Sequence, residues 1–145
     1  MAIREFQGKY RFLSNFFPSP VAMDGKEYPS VEHAYQAAKT LDKDRREVIR
    51  QQETPGRAKR AGQRAPLRKD WDEVKLRVME ILVRRKFKSH DNLKKRLLAT
   101  GDEELIEGNT WRDYFWGVCN GRGENMLGKL LMELRAALQK EQAYT

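Results

Sequence analysis

The sequence predicts an α+β fold in which helices dominate and a small antiparallel sheet lies near the N-terminus. Three observations lead to this prediction: strand and turn residues concentrate near the N-terminus, apolar residues at helical spacing run through the remainder, and the length of 145 residues suits one domain. A hydrophobic fraction of 39% and a charged fraction of 34% are typical of a globular chain. We expect one domain over residues 1–145, with its core between about 6 and 138.

The predicted strands and turns come first along the chain. Residues 10–13 partly alternate between polar and apolar side chains, which predicts a strand. Residues 15–20 contain two prolines and predict a loop, because proline interrupts a strand ladder. Residues 21–28 predict a hairpin with Asp24 and Gly25 at its tip, where a positive φ costs little.

The helices are predicted from capping residues that precede apolar residues at helical spacing. Ser30 is predicted to cap the first helix, whose apolar positions extend to Leu41. The other predicted helices run from Asp44 to Gln52, from Pro55 (after Thr54) to just before Gly62, from Asp70 to near Phe87, from Ser89 to Leu98, and from Asn125 to Leu138.

Several functional classes are excluded by composition. The only cysteine, Cys119, cannot form an intrachain disulfide, and no apolar run reaches the ~20 residues of a membrane span. The N-terminus has no signal-peptide core, so we expect a cytoplasmic protein without a membrane partner. His33 and His90 with one cysteine do not make a zinc-ligand set, so neither metal nor cofactor is expected. The sequence leaves the oligomeric state open.

The net charge is +8, and basic residues are concentrated between positions 45 and 96. Such a field favours anionic ligands, either nucleotides or nucleic acid. The alternative is that these residues form ordinary solvated helix faces.

Polar residues on the first predicted helix are candidates for chemistry. Glu32, Gln36 and Lys39 share one face, with Glu32 and Lys39 about 10 Å apart along the axis. A carboxylate and an amine beside a sugar suit acid–base and covalent catalysis. In the preceding loop, the Asn15 amide can bind ribose hydroxyls. The alternatives are a solvent-facing stripe for the helix and an Asx-turn for Asn15.

Two further candidates lie among aromatic residues. Trp71 follows basic residues and can stack on a base; alternatively, it anchors the start of a helix. Asp113 lies within the aromatic cluster of residues 111–116; alternatively, it is an exposed aspartate between buried aromatics.

A glycine-containing turn follows Asp113 and precedes the last predicted helix. The turn and the helix N-terminus present backbone N–H groups to an anion, and Arg122 adds positive charge. We predict that Trp116, Gly117, Arg122 and Asn125 bind substrate. The glycine spacing matches neither a P-loop nor a dinucleotide fingerprint.

The order of these motifs resembles that of the NADAR family, to which YbiA-like proteins belong. The resemblance covers about Phe6 to Leu138. The segments that carry it are residues 12–16 (Phe-Leu-Ser-Asn-Phe), residues 24–39 (Asp-Gly-Lys-Glu-Tyr-Pro-Ser-Val-Glu-His-Ala-Tyr-Gln-Ala-Ala-Lys), Trp71 followed by Val74-Lys75 and Val78-Met79, Lys86-Phe87, residues 97–101 (Leu-Leu-Ala-Thr-Gly), Asp113 with Trp116-Gly117, and residues 123–128 (Gly-Glu-Asn-Met-Leu-Gly) with Leu131-Met132.

The resemblance implies an N-glycosidase. Members of the family hydrolyse phosphorylated ribosylamine intermediates of riboflavin synthesis, or remove ADP-ribose from guanine in nucleic acid, and the resemblance does not distinguish these two substrates. It implies catalytic roles for Glu32, Trp71 and Asp113, and Lys39 matches the lysine that closes the family's helical motif. The expected partners are therefore a small phosphorylated ribosyl substrate or ADP-ribosylated nucleic acid.

The chemistry leaves further alternatives open. Cleavage of a ribosyl C–N bond builds positive charge at C1′ and needs an acid for the departing nitrogen, so Glu32 and Asp113 can divide these roles in either order. Lys39 can instead attack C1′ and form an imine. The competing functional class is a non-catalytic module that binds nucleotides or single-stranded nucleic acid.

Overall fold

The computed structural model describes residues 1–144 and divides into two compact units. The helical unit is Asn15–Ser89, and the terminal unit combines Met1–Ser14 with the chain from His90 onward. In chain order the elements are β1 (Ala2–Ile3), a 3-10 helix (Gly8–Leu13), β2 (Val21–Met23), β3 (Lys26–Tyr28), α1 (Val31–Ala38), α2 (Lys43–Arg50), α3 (Pro55–Arg64), α4 (Trp71–Ser89), α5 (Asp91–Ala99), β4 (Glu104–Leu105) and α6 (Met126–Ala143).

This element order confirms the helix-dominated α+β fold class with a small antiparallel sheet near the N-terminus. The prediction that residues 1–145 form a single domain stays a prediction.

The antiparallel sheet is the predicted hairpin. Strands β2 and β3 pair with Val21 opposite Tyr28 and Met23 opposite Lys26. Asp24 and Gly25 occupy the tip with φ values of 51° and 75°, as the turn chemistry predicted. The hairpin therefore leads the chain directly into α1.

Helix α1 begins as predicted and ends earlier than its apolar spacing indicated. The Ser30 hydroxyl accepts a hydrogen bond from the His33 backbone N–H at 3.1 Å, which confirms the cap. All eight helical residues are buried. The helix stops at Ala38, and Leu41 lies outside it with 64% of its surface exposed, so the inclusion of Leu41 in the helical face was wrong.

Other elements also differ from the sequence predictions. Gly62 lies inside α3, where it packs against Gln36, and not beyond the end of the helix. Ser89 is the last residue of α4, and His90 occupies the position before α5 without a side-chain cap.

Residues 10–13 belong to a 3-10 helix, so the predicted strand was wrong. The guanidinium of Arg96 lies 4.2 Å from the Phe12 ring centroid and covers one side of this segment.

The terminal unit contains a short parallel pair of strands, the 3-10 helix and the two α-helices α5 and α6. Strand β1 pairs with β4, with Ile3 opposite Leu105. Asn125 precedes α6, as predicted, but it adopts the left-handed conformation with φ of 53° and its side chain does not cap the helix. Instead, Asn125 Nδ2 donates to the Leu105 carbonyl at 2.9 Å, and Asn125 Oδ1 accepts from the Glu107 N–H at 2.9 Å. The start of α6 is thereby attached to the chain leaving β4.

Candidate active site

A buried carboxylate–carboxamide pair forms the centre of the site on α1. Glu32 and Gln36 are only 7% and 2% exposed, so the alternative of a solvent-facing stripe is wrong for both. Gln36 Nε2 donates to Glu32 Oε2 at 2.7 Å. One turn of helix separates the two residues, and this hydrogen bond sets the orientation of the carboxylate.

The loop before the hairpin connects directly to Glu32. The Asn15 carbonyl accepts a hydrogen bond from the Glu32 N–H at 3.1 Å, and Asn15 Nδ2 donates to Met79 Sδ at 3.4 Å. Within residues 1–144, the buried oxygen Oδ1 of Asn15 has no hydrogen-bond partner, and neither does Oε1 of Gln36. Because Oδ1 accepts nothing, Asn15 does not form the Asx-turn that was its alternative. An unsatisfied buried acceptor favours a ligand that brings a donor.

Lys39 lies at the end of α1, over the ring of Tyr35, which in turn contacts the ring of Trp71. Its Nζ is 5.5 Å from the Tyr35 ring centroid, and the Tyr35 and Trp71 centroids are 5.1 Å apart with planes inclined by 58°. The Arg68 N–H donates to the Lys39 carbonyl at 2.7 Å, which brings the start of α4 against the end of α1. Trp71 is buried, so this contact matches the alternative in which it anchors the helix start.

The electrostatic environment of Lys39 makes its amine easier to deprotonate. Burial lowers the pKa of Lys39, and the positive charges of Lys59 and Lys75 lower it further. The carboxylate of Glu32 acts in the opposite direction and raises this pKa. The net shift is downward, so the chain provides a lysine with an enlarged neutral fraction on the same helix as the buried carboxylate.

Helix α3 approaches α1 at Gly62, directly against Gln36. A Cβ atom placed on Gly62 would lie 2.9 Å from Gln36 Cβ and would overlap Gln36 Oε1. A glycine is therefore needed at this position for the carboxamide to reach Glu32. This role was not predicted from the sequence, because Gly62 was expected to lie just after the end of the helix.

Lys86 is a buried amine to which the sequence analysis assigned no role. It is 1% exposed, its Nζ lies 5.8 Å from the Phe17 ring centroid and 5.1 Å from that of Phe87, and burial lowers its pKa to about 7. A signal was present in the sequence. Lys86 follows Met79 and Leu82 by seven and four residues, which are apolar-face positions of a helix.

In the terminal unit, the Asp113 carboxylate organises its own turn. Asp113 Oδ1 accepts hydrogen bonds from the N–H groups of Phe115 at 3.2 Å and Trp116 at 2.9 Å. Asn109 holds the same residue from the other side, because its Oδ1 accepts the Asp113 N–H at 3.1 Å. Asp113 is half-buried, and Trp111 and Tyr114 are 51% and 44% exposed, so the carboxylate is neither enclosed by the aromatic cluster nor an exposed aspartate between buried aromatics.

The prediction that backbone N–H groups at the start of α6 bind an anion is wrong, because these groups already donate hydrogen bonds within the chain. The N–H groups of residues 124–127 donate to the carbonyls of residues 114–117 at distances between 2.7 and 3.3 Å. Gly117 is buried and supplies one of these carbonyls, and a Cβ at this position would overlap the Glu107 side chain and backbone. The Trp116 ring packs edge-on against Phe115 with centroids 4.7 Å apart. The exposed Arg122 closes a turn with Cys119 and keeps its side chain at the surface.

The predicted site residues thus fall into two sets. The helical unit brings together Asn15, Glu32, Gln36, Lys39 and Trp71 through the contacts described above. The terminal unit contains the set Asp113, Trp116, Gly117, Arg122 and Asn125. Residues 1–144 contain no group of three or more histidine, cysteine, aspartate or glutamate side chains that could hold a metal ion, and no helix in this range is long and apolar enough to cross a membrane.

Comparison with known proteins identifies the family. The NADAR domain model matches residues 3–139. The chain belongs to the NADAR family. N-glycosidase YbiA of Shigella boydii is 46% identical over 135 residues, which cover 91% of this chain and 84% of that protein. The NMR structure of YbiA from Escherichia coli matches with a TM-score of 0.87 and 40% identity, covering 100% of this chain and 88% of that one.

A relative with a different name extends the comparison. A riboflavin biosynthesis protein of Vibrio vulnificus is 40% identical over 142 residues, which cover 92% of this chain but only 37% of that protein. The names of three relatives that are called N-glycosidases confirm the predicted enzyme class: this NADAR protein is an N-glycosidase.

We expect Gly62→Ala to reduce kcat by about 10- to 100-fold, because the added methyl displaces the Gln36 carboxamide and misorients Glu32. The control is Gly56→Ala on the same helix, where the nearest atom to a new Cβ is Thr54 Oγ1 at 4.0 Å. Steady-state turnover and thermal unfolding of both variants test this. Wild-type turnover in Gly62→Ala would show that Gln36 does not position the carboxylate.

Lys86 should make the stability of the protein depend on pH. Its pKa is about 7 in the folded protein and 10.5 for a free lysine side chain, so between these pH values the unfolded chain holds the extra proton. Stability should therefore rise with pH across this window and be lowest below it. Urea unfolding at a series of pH values should show this rise in the wild type and in the exposed-site control Lys69→Met, and a flatter profile in Lys86→Met. Equal slopes in all three proteins would contradict a neutral Lys86.

Proposed function

We propose that this NADAR protein hydrolyses the bond between ribose C1′ and nitrogen in a phosphorylated ribosylamine, of the kind formed early in riboflavin synthesis. The observation that carries the proposal is the buried face of α1, on which Gln36 orients Glu32 and an amine of lowered pKa, Lys39, follows. The Vibrio vulnificus relative named as a riboflavin biosynthesis protein supports this choice of substrate.

Glu32 stabilises the charge that develops during cleavage. As the C1′–N bond lengthens, C1′ and the ring oxygen become positive, and a carboxylate at short range lowers the energy of this state. Burial strengthens the interaction, since little water is available to screen it. The hydrogen bond from Gln36 holds the carboxylate in place before the substrate binds, so little reorganisation is required.

Lys39 provides a covalent route. Its neutral amine adds to C1′ of the ring-opened sugar, the C1′–N bond to the base breaks, and the departing amine leaves with a proton. The product of this step is an imine between Lys39 and C1′. Water then adds to the imine, releases the ribose phosphate aldehyde and restores the free amine. Direct attack by water on C1′ is the alternative route to the same products.

The remaining site residues complete the proposal. The unsatisfied oxygen of Asn15 can accept a hydrogen bond from a ribose hydroxyl. The roles of Asp113 as a second carboxylate, and of Trp116 and Arg122 in substrate binding, rest on the family resemblance and stay predictions. The reaction needs no metal or cofactor in this scheme, because side chains supply both the charge stabilisation and the nucleophile.

ADP-ribosylated guanine is the second candidate substrate, since it also contains a ribose–nitrogen bond. The observation that favours it is a groove between α2 and α3, which is lined by Arg45, Arg57, Arg60 and Arg64 and so suits a ligand with several phosphates. Incubating the chelator-treated enzyme with each substrate in parallel, and measuring the released base or amine, distinguishes the two. A protein that only binds nucleotides would release no product from either substrate.

We expect Glu32→Gln to lower turnover by about 10²- to 10⁴-fold with little change in thermal stability. The substitution is isosteric, and the new amide oxygen can still accept the hydrogen bond from Gln36. The matched control is Glu73→Gln, which changes an exposed glutamate in the first turn of α4. If turnover of Glu32→Gln stays within a few-fold of wild type, the catalytic assignment of Glu32 is wrong.

Lys39 should be trapped during turnover. Sodium borohydride added to the working enzyme should reduce the imine, and peptide mass spectrometry should locate the ribose phosphate adduct on Lys39. Lys39→Ala should lose both the adduct and turnover. An adduct on Lys86, another lysine whose pKa is lowered by burial, would contradict the assignment. Substantial activity in Lys39→Arg with no adduct would favour direct hydrolysis by water.

A further inference from the structure

His33 lies in the first turn of α1, directly after Glu32, and its ring has a hydrogen-bond partner at each nitrogen. The residue is buried. Nδ1 lies 2.7 Å from Ser30 Oγ, and Nε2 lies 2.9 Å from the backbone carbonyl oxygen of Gln52. Gln52 follows the end of α2, so the ring connects the start of α1 with the chain that leaves α2. The proposed reaction assigns no role to this ring.

These contacts fix the tautomer of the ring. A carbonyl oxygen only accepts hydrogen bonds, so Nε2 carries the ring hydrogen and donates it to Gln52. In the neutral ring Nδ1 then has a lone pair, which accepts the hydroxyl hydrogen of Ser30. The Ser30 oxygen in turn accepts the His33 backbone N–H at 3.1 Å. Every polar group of the two side chains is therefore paired when the imidazole is neutral.

A protonated ring does not fit this arrangement. Nδ1 would then carry a hydrogen, and the Ser30 hydroxyl would lose its acceptor. Burial lowers the pKa of His33 because the charged form loses its hydration, and the hydrogen bond to the Gln52 carbonyl raises this pKa by a smaller amount. Geometry and electrostatics therefore agree on a neutral ring that connects two helices.

The same turn of α1 carries Glu32. Its backbone N–H donates to the Asn15 carbonyl at 3.1 Å, and one residue later the His33 N–H donates to the Ser30 hydroxyl. These bonds satisfy amides at the start of the helix, which have no partner within it. They hold the backbone of the first turn, whereas Gln36 holds the Glu32 carboxylate from the next turn. The position of the carboxylate thus depends on both turns, and the His33 ring joins the first turn to a separate part of the chain.

We propose that His33 is a positioning residue for the glycosidase reaction: its neutral ring, held at both nitrogens, keeps the first turn of α1 in the orientation that presents the Glu32 carboxylate to C1′ of the substrate. The inference rests on the proposed function, because it assumes that Glu32 acts on the bond that is cleaved. His33 itself does not touch the substrate in this scheme. A displacement of about 1 Å at a catalytic group is enough to slow a reaction by about 100-fold.

Three substitutions separate the two contacts of the ring. His33→Phe keeps a ring of similar size and removes both hydrogen bonds. His33→Gln places an amide nitrogen near the position of Nε2, so a donor to the Gln52 carbonyl remains. His33→Asn places an amide oxygen near the position of Nδ1, so an acceptor for the Ser30 hydroxyl remains. The matched control is His90→Gln, since His90 is the only other histidine and lies in the terminal unit.

We expect His33→Phe to lower kcat on a phosphorylated ribosylamine by about 10- to 100-fold, with KM changed by less than about threefold, because only the carboxylate is misplaced and the other substrate contacts remain. His33→Gln should regain most of this loss and His33→Asn less of it, because only the glutamine keeps the connection to the end of α2. The control should match the wild type. All rates are measured well below the unfolding temperature of each variant, so that the folded fraction is the same.

Three kinetic outcomes overturn the proposal. Wild-type kcat in a folded His33→Phe variant would show that the ring only stabilises the fold. A loss in His33→Gln as large as in His33→Phe would show that the connection to Gln52 does not position the carboxylate. Should His33→Phe fail to fold, turnover of the glutamine variant no higher than that of the asparagine variant would overturn the proposal in the same way.

A measurement on the unaltered His33 ring tests the hydrogen-bond arrangement directly. Long-range ¹H–¹⁵N correlation spectra of protein labelled with ¹⁵N-histidine report which ring nitrogen carries the hydrogen, and His90→Gln identifies the His33 signals. We expect Nε2 to be protonated and Nδ1 to be an acceptor without a hydrogen at the pH of the assay. The opposite tautomer, or a doubly protonated ring, would overturn the proposal.

The side-chain amide of Gln36 distinguishes this inference from the proposed function. Because Gln36 Nε2 donates to Glu32 Oε2, its ¹H–¹⁵N signal reports the position of the carboxylate with no substrate present. The signal should shift in His33→Phe and stay near its wild-type position in His33→Gln. If it does so but the wild type releases no product from the ribosylamine, the proposed function fails and the placement of the carboxylate by His33 stands. If the wild type releases product while the signal and kcat are unchanged in His33→Phe, the positioning role fails and the proposed function stands.

Discussion

Burial of α1 on every side is the constraint on which the helical unit depends. All eight helical residues lie in the interior, including Glu32, His33 and Gln36. Polar groups removed from water cost free energy unless they find hydrogen-bond partners. His33 satisfies this condition between Ser30 Oγ at 2.7 Å and the Gln52 carbonyl at 2.9 Å, and Glu32 satisfies it with Gln36. The elements around α1 therefore lie where they provide these hydrogen-bond partners.

Burial also sets the electrostatic environment of the candidate site. Removal from water lowers the pKa of His33, of Lys39 and of Lys86, because the charged forms lose their hydration. A lowered pKa enlarges the neutral fraction of a lysine amine, which is the nucleophilic form, and a carboxylate in a poorly hydrated region exerts a strong field. Core packing and the proposed catalytic groups therefore share one helix, and a change that loosens the packing is expected to impair the proposed chemistry.

The terminal unit is held together in a different way. Between β4 and α6, side chains hydrogen-bond to the backbone in place of a regular strand ladder. The Asn109 side chain binds the backbone N–H and carbonyl of Asp113, whose carboxylate accepts from the Trp116 N–H. The Asn125 side chain binds the Leu105 carbonyl and the Glu107 N–H. Polar side chains in a glycine-rich loop are easily interpreted as ligands for a substrate. Here most of their donors and acceptors are used to satisfy backbone groups that no helix or sheet pairs.

The sequence by itself determined the local features of this protein. The hairpin tip at Asp24–Gly25, the Ser30 cap and the common face of Glu32 and Lys39 follow from φ preferences, capping chemistry and the helical period, all of which act over a few residues. The motif order was also sufficient to recognise the NADAR family, which the family model and the related structure confirm.

Only the tertiary structure decided which polar groups are buried and which donors remain available. Several features depend on parts of the chain outside their own element. They are the 3-10 conformation of residues 8–13, the place of Gly62 inside α3, the engaged amides of residues 124–127 and the buried amine of Lys86. Burial and hydrogen bonding are set by these distant neighbours, so a pattern read along the sequence predicts a side chain's position on its element but not its environment.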